Sequence, residues 1–243
     1  MDPTQPASPP PPVSGAGIPP EDGTWVSGGY RSSWLRARFV VGLLALAIAA
    51  LAISALVDID GLGLLGAAAA GNLDQQTASA FDDLRQAVGF LVLTFVLGSA
   101  ISVLAWLSRV VDNVPPLAGS TPRRSPREAI GWWFVPVANV VVPFQIVSDA
   151  VQRLRSGADE GAERLIQPWW GLFLLATAIA YLGWQLPADS ADDGRMSFAV
   201  SITGALVQIA SGVLLLLIVR SVERRSNRLA RALRAATSTP RAS

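Results

Sequence analysis

The side chains that most often carry out chemistry are scarce in this 243-residue sequence, which contains no Cys and no His. Disulfides, thiol and imidazole catalysis, Cys/His zinc sites and His- or Cys-ligated haem are therefore excluded. Carboxylates remain, in two groups: Asp58, Asp60, Asp82 and Asp83, and then Asp189, Asp192 and Asp193. The two groups could converge on one external cation, but exclusion of acidic residues from the inner face of a membrane is the preferred explanation. We predict no metal, no cofactor and no catalytic residue.

Two short motifs look like ligand-binding loops. Gly61, Gly63 and Gly66 have the spacing of a dinucleotide fingerprint, with Asp82 about twenty residues further on. That motif needs a preceding strand, whereas an apolar run precedes it here, so we expect an apolar, flexible loop instead. The stretch from Asp58 begins like a calcium loop, but Leu62 falls where the next oxygen ligand is required.

A single amide is the most prominent polar group within the long apolar runs. Gln208 lies at the midpoint of its run, and no ionisable residue lies inside any of the four longest runs. Proton relays, ion-coupled carriers and voltage sensors usually need charged groups at membrane depth. We therefore expect Gln208 to form a hydrogen bond across a helix interface, and a substrate contact is the alternative.

Four apolar runs must position these groups, at residues 39–57, 87–107, 168–186 and 197–219. The sequence is 51% hydrophobic and only 15% charged, and its mean hydropathy is +0.42. A 19-residue helix is about 28 Å long, close to the hydrocarbon thickness of a bilayer. Because backbone polar groups in lipid must be satisfied internally, the runs predict an all-α membrane protein with four transmembrane helices.

A fifth run, residues 129–147, is long enough to cross but interrupted by prolines. With four spans, 17 of the 19 arginines lie on one side and 2 on the other, whereas five spans would give 8 and 11. The positive-inside rule favours four spans with both termini in the cytoplasm. We therefore predict that residues 126–155 form an interfacial or re-entrant Trp/Pro segment that does not cross. Ser125, Pro126 and Glu128 predict the start of its helix.

The terminal segments differ from the membrane domain, which we place at residues 34–219. Residues 1–33 hold 8 of the 17 prolines and predict a disordered cytoplasmic tail, either a solvated spacer or a ligand for a polyproline-binding protein. Residues 220–243 are basic and predict a helical cytoplasmic tail that either binds anionic lipid or is simply solvated. The net charge of +1 suggests no nucleic-acid partner.

A cluster of residues between the second and third spans resembles a known family. Its residues are Arg109, Asn113, Trp132, Trp133, Pro136, Asn139, Pro143 and Gln145, followed by Trp169 and Trp170 at the next span. The sequence over roughly residues 35–235 is similar to a bacterial membrane family called domain of unknown function 4328. The resemblance implies four spans, an acidic outer loop after the first, and a Trp/Pro/Asn segment between spans two and three. It implies no activity.

The functional expectation is a non-enzymatic membrane module that senses, scaffolds or regulates through partners. The alternative is a small transporter or channel for a neutral or amphiphilic solute, in which residues 129–147 line a cavity. All 19 basic residues are Arg, which indicates a GC-rich bacterial genome. Together with the four predicted spans, this predicts a location in the bacterial cytoplasmic membrane. The candidate interaction residues are the eight of the family cluster, Arg109 to Gln145, together with Gln208.

Overall fold

The computed structural model describes residues 29–155, 161–186 and 190–238, and these contain helices and no strand. Most of the predicted Pro-rich tail therefore lies outside the described residues. The helices are α1 (Trp34–Ala69), α2 (Gln75–Ala118), α3 (Glu128–Gly131), α4 (Val142–Arg153), α5 (Gly161–Trp184) and α6 (Ala191–Ser238). Two single 3-10 turns, Trp132–Phe134 and Ala138–Val140, lie between α3 and α4.

Four of these helices are long and apolar enough to span a membrane: α1, α2, α5 and α6. This confirms the predicted all-α fold, that of a multi-pass membrane protein. Three of them exceed the span length expected from the sequence, with 36 residues in α1, 44 in α2 and 48 in α6. At about 1.5 Å per residue they are roughly 54–72 Å long, about twice the hydrocarbon thickness. The bundle therefore extends beyond the membrane.

The glycine-rich segment after the first apolar run is helical, so the expectation of a flexible loop there is wrong. α1 continues to Ala69, the chain reverses near Gly71 (φ +72°), and α2 begins after Asp74. A Cβ built on Gly61 would lie 2.6 Å from the ring of Phe198 and 2.7 Å from that of Phe81. Tertiary packing of this kind outweighs the low helix propensity of glycine.

The spanning helices pack in the order α2, α1, α6, α5, and α2 and α5 scarcely touch each other. Contacts between residues distant in sequence fix the helix directions. The start of α1 meets the ends of α2 and α6 through Asn113 and Glu223, and the start of α5 meets α6 through Arg225. We call this the arginine end. The other termini of α1, α2 and α6 meet around Asp58 at the aspartate end.

The Trp/Pro hairpin, residues 128–153, begins and ends at the arginine end. α2 ends there and α5 begins there, so the connection between them returns to the side that it leaves. Its two halves, Glu128–Phe134 and Ala138–Arg153, are bent by 119°. At its base the Arg123 backbone N–H donates to the Asp149 carboxylate at 3.0 Å. This confirms a bent segment in addition to four spanning helices.

Candidate functional site

The segment that precedes α1 is held to the end of α2 by one buried amide. The Asn113 Oδ1 accepts the backbone N–H of Arg31 at 3.1 Å, and its Nδ2 donates to the Arg31 carbonyl at 2.8 Å. Asn113 is 2% exposed. One side chain therefore satisfies both main-chain polar groups of a residue 82 positions earlier in the chain.

A carboxylate on α6 adds a second contact to the same segment. Glu223 accepts the hydroxyl of Ser33 at 2.6 Å and the indole N–H of Trp106 at 2.9 Å. Ser33 is 1% exposed. We call Asn113, Glu223 and Trp106, together with the main chain of Arg31 and the hydroxyl of Ser33, the N-terminal clamp. It joins the beginning of α1 to both α2 and α6.

Arg109, four residues before Asn113, does not form a hydrogen bond with Arg31, the partner of Asn113. Its guanidinium pairs with Asp112 on the same helix at 3.0 Å, and both side chains are partly exposed. The two candidate residues Arg109 and Asn113 therefore have different structural roles. Asn113 joins distant segments, whereas Arg109 makes a local ion pair.

A buried ion pair joins α5 and α6 at the arginine end, and the sequence did not indicate it. Arg225 is 0% exposed. Its guanidinium donates to the two carboxylate oxygens of Glu163 at 2.8 and 3.0 Å, with a longer contact of 3.4 Å to the carbonyl of Val151 on α4. Arg225 was expected on the solvated or lipid-binding face of the basic tail. The sequence of a basic helix does not show which of its arginines is buried.

The two adjacent tryptophans of the Trp/Pro hairpin have different surroundings. Trp133 packs edge-on against Trp170 (5.8 Å between ring centroids) and Phe173 (6.1 Å) of α5. Trp132 instead lies under the guanidinium of Arg124, which is 5.3 Å from its ring centroid. Trp170 also donates its indole N–H to the carbonyl of Val140 at 2.9 Å. The hairpin is thus fastened to α5 by aromatic contacts.

The other candidate residues of the hairpin are distributed along it. Pro143 is buried in the first turn of α4, where a proline suits a helix start. Pro136 and Asn139 are exposed at the bend, beside Val137 with a φ of +67°. Gln145 is exposed and lines a pocket of about 220 Å³ together with Arg123, Arg124 and Asp149. The predicted capping box is present, since Ser125 N–H donates to Glu128 and Glu128 N–H donates to the Ser125 hydroxyl.

A cavity of about 190 Å³ lies among all four spanning helices. Its wall is mostly aliphatic and aromatic, and its polar members are Ser99, Gln208, Ser211 and the indoles of Trp133 and Trp169. We call it the bundle cavity. Gln208 was expected to bond across a helix interface, but no hydrogen bond joins its side chain to another described residue. It lines the cavity instead, away from Asn139 at the exposed bend.

At the aspartate end, Asp58 is part of α1 and is 2% exposed. Its carboxylate accepts the Arg85 Nε–H at 3.0 Å and the Ser201 hydroxyl at 2.5 Å. It therefore links three helices. Within the described ranges no three acidic side chains come together as a metal site. Asp189, part of the suggested external cation site, lies outside the described residues.

Two carboxylates outside the spans have shifted pKa values because of capping contacts. The backbone N–H and the hydroxyl of Thr77 donate to Asp74 and lower its pKa. Partial burial alone would raise the pKa of Glu128, but hydrogen bonds from Ser125 and Arg124 outweigh it, and the net shift is downward. Both carboxylates are therefore held in the charged form as helix caps.

Comparison with known proteins identifies a family. Searches of curated proteins and of solved structures gave no match. A family model described as "Domain of unknown function (DUF4328)" matches residues 69–224. The match begins at the last residue of α1 and is shorter than the resemblance over residues 35–235 expected from the sequence. It contains α2, the Trp/Pro hairpin, α5 and the larger part of α6. Because it covers more than half of the sequence, the chain belongs to the DUF4328 family.

Proposed function

We propose that this multi-pass membrane protein is a non-enzymatic module that regulates a partner through its N-terminal segment. The observation that carries the proposal is the N-terminal clamp. Asn113 forms hydrogen bonds with both main-chain polar groups of Arg31, and Glu223 accepts a hydrogen bond from the Ser33 hydroxyl. Any shift of α2 against α6 must alter one of these contacts, so the state of the bundle is coupled to the segment that carries the Pro-rich tail.

A regulatory role also agrees with the surroundings of two serine–carboxylate pairs, Ser33 with Glu223 and Ser201 with Asp58. Ser33 and Ser201 each donate to a buried or partly buried carboxylate, an arrangement that can resemble a nucleophile and its base. Each carboxylate, however, already accepts a second donor, Trp106 for Glu223 and Arg85 for Asp58. Both pairs join different helices, and the Ser33 hydroxyl is inaccessible because Ser33 is 1% exposed. We therefore interpret the two pairs as structural contacts, in agreement with a non-enzymatic role.

The positive-inside rule supports an orientation with the arginine end in the cytoplasm of a bacterium. The N-terminal segment and the end of α6 would then face cytoplasmic partners and the anionic lipids of the inner leaflet. The exposed basic residues beyond the fourth span, such as Arg231, would contribute to lipid attraction. Arg225 would not, because it is paired with Glu163 inside the bundle.

The role of the clamp can be tested by photo-crosslinking in the full chain. A photo-crosslinking residue at the exposed position Gly29 is expected to give a discrete protein adduct in the native host. Asn113→Ala is expected to change the yield of that adduct severalfold, and Asp112→Asn on the same helical turn is expected to leave it unchanged. Identical adduct patterns in wild type and Asn113→Ala, or lipid adducts alone, would contradict the regulatory role.

A second candidate is a transporter for a neutral or amphiphilic solute, which the bundle cavity favours. Its wall contains no charged side chain, so coupling to a proton gradient lacks an evident group. Purified protein in liposomes is expected to show no pH-gradient-driven uptake. Robust uptake that Gln208→Leu abolishes would replace the regulatory role with transport.

A further inference from the structure

The bundle cavity contains polar groups that the protein leaves without partners. Ser99 is 5% exposed, and its hydroxyl oxygen has no hydrogen-bond partner in the described structure. The indole N–H of Trp133 is buried and also has none. Native proteins satisfy nearly all buried polar side-chain atoms, so each exception requires an explanation. Both residues line the same cavity.

Gln208 adds an amide to this wall. Its side chain has no hydrogen-bonding neighbour among the described residues, although a lone amide at membrane depth is expected to find one. The hydroxyl of Ser211, one turn further along α6, makes only a 3.5 Å contact to the carbonyl of Trp169. Polar groups from three separate elements (α2, the Trp/Pro hairpin and α6) therefore converge on one cavity that is otherwise apolar.

The shape of the cavity indicates where the rest of a ligand would lie. Its volume of about 190 Å³ is smaller than the roughly 300–1,000 Å³ of pockets that enclose a drug-sized molecule. It would hold a head group and the start of a chain. The bundle is closed by helix packing on every side except between α2 and α5, which scarcely touch. Ala100 of α2 lines the cavity and is exposed, so it marks this gap.

We propose that the bundle cavity binds a neutral amphiphile whose head group carries a carbonyl or ester oxygen. An indole N–H can only donate, so a ligand group that pairs with Trp133 must be an acceptor, and the amide of Gln208 supplies a second donor. No side chain in the wall is charged, so a charged head group would be buried without a counter-ion. The alkyl chain leaves between α2 and α5 and lies in the bilayer. Such a ligand fits a regulator and a transporter equally.

A photoreactive lipid provides the test. The full chain is reconstituted in phosphatidylcholine nanodiscs containing a trace of diacylglycerol with a diazirine in one acyl chain, irradiated, and mapped by peptide mass spectrometry. Adducts are expected to concentrate on the cavity-facing positions of α2 and α5. Unlabelled diacylglycerol or a long-chain methyl ketone should compete, whereas an alkane of equal length should not. A phosphatidylglycerol probe with the same chains should label this site several times less.

Matched variants separate recognition from general lipid contact. Ala100→Phe blocks the gap and is expected to remove most cavity labelling. Ala178→Phe, an exposed position on α5 outside the cavity wall, is expected to leave it unchanged. Trp133→Phe and Gln208→Leu each remove a donor while keeping bulk. Each is expected to weaken competition by the ketone about 3- to 30-fold, the range measured for single hydrogen bonds between membrane helices.

Several outcomes would overturn the proposal. These are adducts spread evenly over the lipid-facing helices, equal loss of labelling in Ala100→Phe and Ala178→Phe, or equal competition by the alkane and the ketone. Equal labelling by the anionic probe would also reject the neutral class. If Gln208→Leu or Trp133→Phe fails to give a monodisperse protein, the Ala100→Phe and Ala178→Phe pair, with the competitor series on wild type, decides the result alone.

Discussion

Arg225 of α6 and Glu163 of α5 form a two-point ion pair, with N–O distances of 2.8 and 3.0 Å, in which the guanidinium is completely buried. The same guanidinium contacts the carbonyl of Val151 on α4 at 3.4 Å. The pair therefore fixes the hairpin as well as the two spanning helices. A buried charge depends strongly on its partner because water cannot replace it.

Removal of the acidic partner should destabilise the arginine end. Glu163→Ala removes both carboxylate contacts of the buried Arg225 guanidinium and is expected to cost about 3–5 kcal/mol, measured as a lower unfolding midpoint of purified protein in detergent. Asp112→Asn is the control, because its pair with Arg109 is partly exposed and is expected to cost only about 0–1 kcal/mol. Equal effects of the two changes would show that the buried pair is not specially important.

The two glycines Gly61 and Gly63 of α1 should respond oppositely to the same substitution. In Gly61→Ala the new Cβ would lie 2.6–2.7 Å from two phenylalanine rings, and such overpacking costs about 1–3 kcal/mol. In Gly63→Ala the Cβ meets nothing within 4 Å, and the better helix former should stabilise by up to about 1 kcal/mol. Thermal unfolding of both variants distinguishes close packing from a flexible loop, in which neither change would matter.

The Trp/Pro hairpin should be reachable from one side of the membrane only. Single cysteines at Gly131 and Ser148, on its two limbs, are expected to react with an impermeant maleimide from the side that labels a cysteine at Ala232 near the end of α6. A cysteine at Asn72, in the turn between α1 and α2, should react only from the opposite side. If Gly131 and Ser148 label from different sides, the hairpin crosses and its bent geometry is wrong.

The cap of α2 should weaken in acid. Because the folded pKa of Asp74 is lowered, its charged form contributes stability above the unfolded pKa of about 3.9. That contribution is lost as the pH falls through the lowered folded value. Chemical-shift titration of Asp74 should therefore give a midpoint below that of an unstructured Asp. In Asp74→Asn the cap remains, and this part of the pH dependence should disappear. A midpoint at or above the ordinary value would refute the capping contact.

Local sequence patterns were sufficient for the number of spanning helices and for one helix cap, but not for the full lengths of the helices. The four apolar runs predicted the four spanning helices, because a lipid environment imposes both length and helical hydrogen bonding. Ser125 and Glu128 predicted the capping box, because both partners lie within one turn. Pro136 and Pro143 predicted that residues 126–155 would be a broken segment, as the bent helix pair is. That this segment does not cross remains a prediction from the uneven distribution of arginines. Each of these features depends on composition or on neighbours a few residues apart.

Only the tertiary structure decided what the polar residues do. Asn113 and Arg31 are 82 residues apart, Asp58 and Ser201 are 143 apart, and Ser33 and Glu223 are 190 apart. Local hydrophobic patterns carry no information about such pairs. Gly61 lies in a helix, and its lack of a side chain leaves room for the rings of Phe81 and Phe198. Ser99, Trp133 and Gln208 look like isolated neutral groups in the sequence, and they form one cavity wall only because α2 and α5 are held apart by the helices packed between them.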